Sequence, residues 1–199
     1  MDSKKAKQLI KDRAFGFNSV YAGVIEEVVN TWNADAIAVK WNGEIIEYEI
    51  KCSKYDLIGE VKAITFALDN NAVFSNNLDF IGRNLVTKDT KLSRTKIAKH
   101  HHYLVEQVKD YSNMEYMFRP NRFYFAVPTE LVELAKELLR GIKYYGVYNL
   151  DTGEIVKKSY SLHKNSHSAS VYLHLFTRAC TERDDQLREN IKLRKSLVI

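Results

Sequence analysis

Apolar residues recur along this 199-residue chain at two spacings, one typical of helices and the other typical of strands. Spacings of three and four residues predict amphipathic helices, because such residues share one helix face. These helices are predicted over residues 18–32, 56–70, 92–111 and 169–193. Another helix is predicted to begin at Pro128-Thr129, with Thr129 as its N-cap, and to run through Arg140 to a stop at Gly141.

Strands are predicted where apolar residues alternate with polar ones or form a short continuous run. The predicted strands cover residues 34–41, 44–52, 123–127, 144–150 and 154–158. Turn residues at 42–43 and 151–153 join the first two and the last two into hairpins, whereas 123–127 is typical of a buried central strand. The alternation of apolar strands and helices predicts an α/β sandwich.

The length of the chain suits one domain over residues 1–199. The least periodic stretch contains Asn70-Asn71 and Asn76-Asn77 and follows the second predicted helix. We interpret it as an irregular insertion at about residues 60–95 that serves as a substrate loop.

The first hairpin joins one acid, Asp35, to a second acid and a lysine, Glu49 and Lys51. Glu49 and Lys51 lie two residues apart on one predicted strand, so their side chains point to the same face. Hydrolysis of a phosphodiester needs neutralised phosphate charge and an activated water, and Mg²⁺ on one or two carboxylates supplies both. The sequence therefore predicts Asp35 and Glu49 as Mg²⁺ or Mn²⁺ ligands, with the Ile50 carbonyl as a third, and Lys51 beside the attacking water.

Whether Asp35 and Glu49 meet depends on the hairpin loop at Asn42-Gly43. A two-residue type I′ loop sets Asp35 opposite Ile50, so that the two acids lie on different faces. A three-residue loop, with Gly43 left-handed in a G1 bulge, sets Asp35 opposite Glu49. A shared metal site therefore requires the bulged loop, or an equivalent bulge near Asp35.

The first predicted helix, residues 18–32 with its N-cap at Asn18 or Ser19, carries two glutamates. Glu27 lies at the margin of the apolar face of that helix, while Glu26 points further away. Glu27 is therefore better placed than Glu26 to reach a neighbouring element, beside the alternative that it is an ordinary solvated glutamate.

Charge is the next observation that changes the interpretation, since the chain carries a formal net charge of +5 with a pI near 9.0. Such a balance suits an anionic partner, or simply a solvated basic surface. The expected DNA-contacting residues are Lys54, Lys91, Arg94, Lys96 and Lys99.

Several other classes of protein lack support in the sequence. No apolar run reaches the roughly 18 residues of a membrane span, and the charged first residues are not followed by a hydrophobic stretch of the secretory kind. Cys52 and Cys180 are far apart, so we expect a reduced, cytoplasmic protein without structural zinc. Cys52 faces away from Lys51 and is expected to pack in the core rather than to act as a nucleophile.

Several blocks in order together resemble the MmcB-like DNA-repair endonucleases, a branch of the PD-(D/E)XK nuclease superfamily. The blocks are residues 34–39, 49–53, 55–57, Lys99-x-x-x-Tyr103, 122–128, 146–147 and 162–178. The resemblance implies a restriction-endonuclease-like fold, a three-layer sandwich with a central mixed β-sheet flanked by helices. It also implies metal-dependent DNA cleavage, with Asp35, Glu49 and Lys51 as the catalytic set and an acid of the first helix as a further metal ligand, for which Glu27 fits better by angle than Glu26. Supporting roles are implied for Asp56, Lys99 and Tyr103, although Ile97 stands where the family has an acid.

The sequence thus predicts a metal-dependent deoxyribonuclease acting in DNA repair, recombination or phage DNA metabolism. Two alternatives share its core: a non-catalytic DNA-binding or interaction protein that retains the nuclease fold, and an RNA-directed nuclease. DNA is the expected partner, no membrane contact is expected, and double-strand cutting would suit a homodimer.

Overall fold

A computed structural model describes residues 1–14, 21–29, 33–69, 96, 97, 99, 100, 103, 120–162 and 169–196. Within these residues six strands form one sheet, and their spatial order follows the chain. Their bounds are β1 Tyr21–Val29, β2 Asn33–Lys40, β3 Ile45–Ile50, β4 Arg122–Val127, β5 Tyr145–Asn149 and β6 Ile155–Lys157. Strands β1 to β3 are mutually antiparallel, β3 to β5 are parallel, and β6 returns antiparallel to β5. The sheet is therefore mixed, as predicted.

Helices cover both faces of the sheet and give it three layers. Their bounds are α1 Ser3–Ala14, α2 Lys54–Asp69, α3 Val132–Leu138 and α4 Ala169–Ser196, and residues 96, 97, 99, 100 and 103 are also helical. On one face, Ala6 and Ile10 of α1 share a core with Tyr48 and Tyr124. On the other face, α2, α3 and α4 pack on alternate residues of the same strands. The α/β sandwich predicted from the sequence is confirmed at this level of architecture.

The register of the first hairpin follows the bulged loop. Lys40 and Glu44 are joined by a backbone hydrogen bond of 2.9 Å, and Gly43 adopts a φ of 81°, in the left-handed region. The Asn42 Oδ1 accepts a hydrogen bond from the Glu44 N–H at 3.0 Å and stabilises the turn. Ile37 pairs with Glu47 in this register, as the three-residue loop requires, so that alternative is confirmed.

Strand β4 is the buried central strand that the apolar run 123–127 predicts. It is parallel to neighbours on both sides, and its two faces lie in different cores. Phe123 and Phe125 pack toward α2 and α3, whereas Tyr124 and Ala126 pack toward α1. A strand covered on both faces needs apolar residues at every position, which explains the unbroken run.

The predicted helix over residues 18–32 is wrong, since residues Tyr21–Val29 form β1. This segment pairs with β2 along its length, with a register shift near Gly23. The β-branched residues Val24, Ile25 and Val28 suit a strand, and ladder pairing outweighs the helical spacing of the apolar positions. The N-cap predicted at Asn18 or Ser19 lies outside the described residues.

One helix was not predicted, and one other helical prediction needs correction. The hydrophobic pattern gives no signal for α1, because the buried residues among its described side chains are only Ala6, Lys7 and Ile10. The helix predicted from Thr129 to Arg140 is shorter: a 3-10 turn, Thr129–Leu131, precedes α3. Thr129 does not cap it, because its hydroxyl donates to Asn149 Oδ1 at 3.2 Å.

Other predicted elements agree with the structure within a few residues. Helices α2 and α4 and the β5–β6 hairpin correspond to the predicted ranges 56–70, 169–193 and 144–158. The predicted insertion overlaps the end of α2 over residues 60–69, and its remainder, 70–95, lies outside the described residues. No helix in the described part of the chain is long and apolar enough to cross a membrane.

Because Gly43 fixes the register, Gly43→Ala is expected to lower the free energy of unfolding by about 1–2 kcal/mol. A Cβ at Gly43 would also lie 2.9 Å from the Tyr172 hydroxyl, which donates to the Gly43 carbonyl at 2.8 Å. Urea unfolding measures the change. The matched control is Gly59→Ala in α2, where an added Cβ meets nothing within 4 Å; it should stabilise by about 0.5–1 kcal/mol. Equal effects of the two substitutions would contradict the argument.

Candidate functional site

The site begins where β2 and β3 lie side by side. The register that pairs Ile37 with Glu47 and Ala36 with Tyr48, continued by one residue, sets Asp35 opposite Glu49. The Ile50 N–H donates to Asp35 Oδ2 at 2.8 Å, which fixes the Asp35 side chain against β3. The other oxygen, Asp35 Oδ1, accepts no hydrogen bond from the described residues. The two acids named by the sequence are therefore adjacent.

Glu49 is held by two lysines. Its Oε1 lies 2.6 Å from Lys51 Nζ, and its Oε2 lies 2.8 Å from Lys99 Nζ. All three side chains are nearly inaccessible to solvent. Such pairs are favourable only when each charge has good partners, because burial removes the water that would otherwise solvate it. Both oxygens of Glu49 are thus neutralised by groups of the protein itself.

Lys51 connects this pair to α2 through Glu60, which is fully buried. Glu60 Oε2 lies 3.2 Å from Lys51 Nζ and forms a second, closer ion pair with Lys96. The other oxygen, Oε1, lies 2.7 Å from His100 Nε2. Glu60 therefore has two ammonium groups and an imidazole around one carboxylate.

His100 continues the network from Glu60 to β5. Its Nδ1 lies 2.7 Å from the Tyr145 hydroxyl, and the residue is fully buried. Burial lowers the pKa of His100, against the opposing effect of Glu60, so the imidazole is neutral at pH 7. We assign the Nε2–H as donor to Glu60 and Nδ1 as acceptor from Tyr145, the tautomer that satisfies both contacts.

Glu47 forms the inner end of the network. Its Oε1 is ion-paired with Lys99, and its Oε2 accepts a hydrogen bond of 2.7 Å from the Tyr103 hydroxyl. Lys99 Nζ also lies 5.3 Å above the Phe123 ring and 5.9 Å above the Tyr103 ring. Lys99 therefore bridges Glu47 and Glu49 while two aromatic faces cover its ammonium group.

One helical stripe supplies most of the partners of these carboxylates. Lys96, Lys99, His100 and Tyr103 have the spacing of residues that share a helix face, and all four contact Glu47, Glu49 or Glu60. This region belongs to the predicted helix 92–111, of which the described residues are helical.

Electrostatics separate the carboxyl groups into two kinds. Burial raises the pKa of Asp35, and the charge of Glu49 raises it further. Burial also raises the pKa of Glu47, more than Lys99 lowers it. Burial acts in the same direction on Glu49 and Glu60, but their cationic and hydrogen-bonding partners prevail and hold both pKa values below the ordinary one.

The ammonium groups remain charged. Burial by itself would lower the pKa of Lys51, but Glu49 and Glu60 raise it above its ordinary value. The pKa of Lys99 is likewise raised, since Glu47 and Glu49 outweigh the effect of burial. The joined part of the network is therefore balanced: Glu47, Glu49 and Glu60 face Lys51, Lys96 and Lys99.

Asp35 and Glu49 fit Mg²⁺ in the kind and number of their donors. Carboxylate oxygens are hard ligands, and Mg²⁺ in nucleotide-processing sites commonly uses one or two of them together with water and phosphate oxygens. No group of three or more His, Cys, Asp or Glu in the described residues is arranged to hold a metal ion. A two-carboxylate site is therefore the arrangement that these residues could provide, and a cation bound there would compete with the lysines on Glu49.

Glu27 lies on β1 rather than on a helix, but its position is still next to Asp35. The pairing of Glu26 with Ala36 and of Val28 with Ala34 puts residue 27 opposite residue 35. Its side chain is outside what the structure describes, so its role as a metal ligand stays a prediction.

The predicted supporting residues have separate environments. Ser53 Oγ accepts from the Asp56 N–H at 3.1 Å and donates to Asp56 Oδ2 at 3.0 Å, so Asp56 takes part in the N-terminal cap of α2. Tyr103, in contrast, belongs to the buried network through Glu47. Cys52 is partly buried against the α1 core, as expected for a packing residue.

The predicted DNA-contacting residues divide into three groups. Lys54 is exposed, and Lys96 is partly exposed while paired with Glu60. Lys99 is only 5 % exposed and is paired with Glu47 and Glu49, so its predicted DNA contact stays a prediction. Lys91 and Arg94 lie outside the described residues.

Three members of the network were missed as functional candidates: Glu47, Glu60 and His100. Two of them carry a signal in the sequence. Glu47 lies between Ile45 and Glu49 on the same face of its strand. Glu60 lies on the apolar stripe of α2 together with Leu57, Val61 and Ile64. A polar residue at a core-facing position needs a partner, and here that partner is distant in the chain.

Glu60→Gln is expected to lower the free energy of unfolding at neutral pH by about 3 kcal/mol, because Lys51 and Lys96 lose a buried counter-charge. The folded-state pKa of Glu60 is below its ordinary value of 4.5, so this stabilisation is present above pH 4.5 and is lost as pH falls further. The difference from wild type should therefore shrink in acid. Denaturant unfolding between pH 3 and 7 measures it, with exposed Glu133→Gln as the control.

Glu47→Gln should show the opposite pH dependence. The pKa of Glu47 is higher in the folded state than in the unfolded state. The stabilisation that Glu47 contributes is therefore full below its ordinary pKa and is lost as the pH rises toward the folded-state pKa. The stability of Glu47→Gln relative to wild type should increase over that range. The same unfolding series measures this, and a parallel pH dependence for both glutamate variants would contradict the assignment.

Comparison with known proteins adds little to this geometry. No family model matches the chain, and a search of curated proteins gives no match. Among solved structures, the chain is similar to the SPO1766 protein of unknown function from Silicibacter pomeroyi, with 17% sequence identity and a TM-score of 0.45. That similarity covers 93% of this chain and 88% of the other, and at this TM-score it carries no argument about function.

Proposed function

We propose that this protein is a metal-dependent deoxyribonuclease that hydrolyses phosphodiester bonds, in DNA repair, recombination or phage DNA metabolism. The observation that carries the proposal is that Asp35 on β2 lies opposite Glu49 on β3, while Lys51 is ion-paired with Glu49. This is the layout that the acid, hairpin and acid-x-lysine sequence anticipates, and it depends on a bulged loop that could have formed otherwise.

The roles of the residues follow from their chemistry. Asp35 and Glu49 would hold Mg²⁺ or Mn²⁺, with the Ile50 carbonyl and Glu27 as further candidate ligands. The bound cation would neutralise phosphate charge and lower the pKa of a water molecule. Lys51 keeps its charge at neutral pH, so its ammonium group can donate to the attacking water or to a phosphate oxygen.

Support for a nucleic-acid partner comes from charge. The chain has a net charge of +5, and Lys54 is exposed three residues after Lys51, at the beginning of α2. A cation in that place suits a phosphate of a strand that enters the site. The three-layer α/β architecture is compatible with the restriction-endonuclease-like sandwich implied by the resemblance.

One observation favours the non-catalytic alternative. Both oxygens of Glu49 are neutralised by Lys51 and Lys99, so the network is balanced without a metal ion. A protein that keeps the fold for DNA binding alone could retain such a network for stability. The two functions differ in what loss of the Asp35 charge does: it abolishes cleavage in one and leaves binding unchanged in the other.

The test is cleavage of labelled single-stranded, duplex and branched DNA, and of RNA, with Mg²⁺ or Mn²⁺. Asp35→Asn keeps an acceptor for the Ile50 N–H, and Lys51→Met keeps most of the side-chain volume. Each variant should cut at least about 100-fold more slowly than wild type, because charge is lost at the reacting phosphate. Lys62→Met, an exposed lysine on α2, is the matched control and should cut like wild type.

Thermal unfolding of each variant separates a lost activity from a lost fold. Wild type that binds DNA without cutting it, with variants that bind equally well, would overturn the catalytic proposal in favour of the binding protein. Preference for RNA would transfer the same chemistry to an RNA-directed nuclease.

A further inference from the structure

We propose that Lys99 is an internal counter-cation of the site, which releases Glu49 when a divalent metal binds and remains paired with Glu47. The inference rests on the metal site of the proposed function, and in it Lys99 controls how tightly that site binds a cation. It would make the affinity for metal depend on a residue that is not a ligand.

The first step of the argument is competition for the same oxygens. Glu49 Oε1 faces Lys51 at 2.6 Å and Glu49 Oε2 faces Lys99 at 2.8 Å, and the Glu49 side chain is 11% exposed. A metal ion that binds one of these oxygens competes with the ammonium group already on it, since two positive charges so close together repel each other strongly. One of the two lysines must therefore withdraw.

The second step decides which lysine withdraws. The carboxylate that Lys51 contacts besides Glu49 is Glu60, which already has Lys96 and His100 as partners. Lys99 could move toward Glu47, whose partners in the described residues include the Tyr103 hydroxyl but no second ammonium group. Release of Glu49 by Lys99 thus leaves a one-to-one pair, whereas release by Lys51 crowds two cations on Glu60.

The third step is that the site is built to keep Lys99 after the release. The ammonium group lies 5.3 Å from the centre of the Phe123 ring and 5.9 Å from that of Tyr103, and these faces favour a cation. Tyr103 also orients Glu47 through its hydroxyl. Lys99 therefore has two available arrangements, one bridging Glu47 and Glu49 and one on Glu47 alone, which is what a switchable counter-ion requires.

The direct test is Mn²⁺ binding, measured as loss of the electron paramagnetic resonance signal of free Mn²⁺ at 0.15 M salt, with no nucleic acid present. Lys99→Met should bind Mn²⁺ at least about tenfold more tightly than wild type, because the competing charge is gone. Glu47→Gln should bind it more weakly, since Lys99 is then left with Glu49. Lys62→Met, with an exposed charge removed elsewhere, should resemble wild type.

The double variant Lys99→Met with Glu47→Gln removes both members of the pair, which disturbs a buried site less than removal of one. If Glu47 acts only through Lys99, adding Glu47→Gln to Lys99→Met should leave the Mn²⁺ affinity unchanged within about twofold. Weaker Mn²⁺ binding in the double variant than in Lys99→Met would indicate that Glu47 is itself a ligand and would overturn the inference. The double variant also supplies the test if the single Lys99→Met variant does not fold.

The remaining outcomes separate this inference from the proposed function. Mn²⁺ affinity that is unchanged or weaker in Lys99→Met would overturn the counter-cation role. Absence of Mn²⁺ binding in wild type and in all variants would overturn both the inference and the metal chemistry of the proposed function. The expected pattern of affinities in a protein that cuts no nucleic acid would uphold the inference and overturn the nuclease.

Discussion

The structure depends on the neutralisation of carboxylates that one sheet face buries. Glu47 and Glu49 alternate with apolar residues on β3 and face the same core layer as Glu60 of α2. Isolated charges in that layer would cost several kcal/mol each, and the protein meets this cost with lysines instead of water. The helical stripe that carries Lys96 and Lys99 is therefore required for the folding of this sheet face and, in the proposed nuclease, for its chemistry as well.

That requirement links stability to the proposed function. A site that binds a divalent cation must tolerate its carboxylates when the cation is absent, and a network with built-in ammonium groups does so. The same network would limit metal affinity, because both oxygens of Glu49 are already paired with lysines. In our proposal Lys99 links stability to metal affinity, because it can pair with both Glu47 and Glu49 or with Glu47 alone.

Hairpin geometry is the second constraint, and it acts through a single residue. The left-handed Gly43 makes the loop one residue longer than the tightest alternative and so sets Asp35 on the face of Glu49. Without that extra residue every side chain of one strand would point to the other face. The candidate site is thus decided at a turn that carries no reactive group.

Local sequence determined the elements whose signals are complete within a few residues: the hairpin at Asn42-Gly43, the apolar run of β4, and α2. It left the adjacency of Asp35 and Glu49 open between two hairpin loops, and the structure selected the bulged one. It misjudged residues 21–29, because apolar β-branched residues suit a helix face and a strand alike until a partner strand is known. It also gave no signal for α1, which the sheet holds through few buried side chains. Only the tertiary structure decided that Glu60, His100 and Lys99 join Glu49, because their contacts span 40 to 50 positions of the chain. Spacing along a chain specifies which face a side chain takes, whereas the identity of its partner is fixed by which faces the fold brings together.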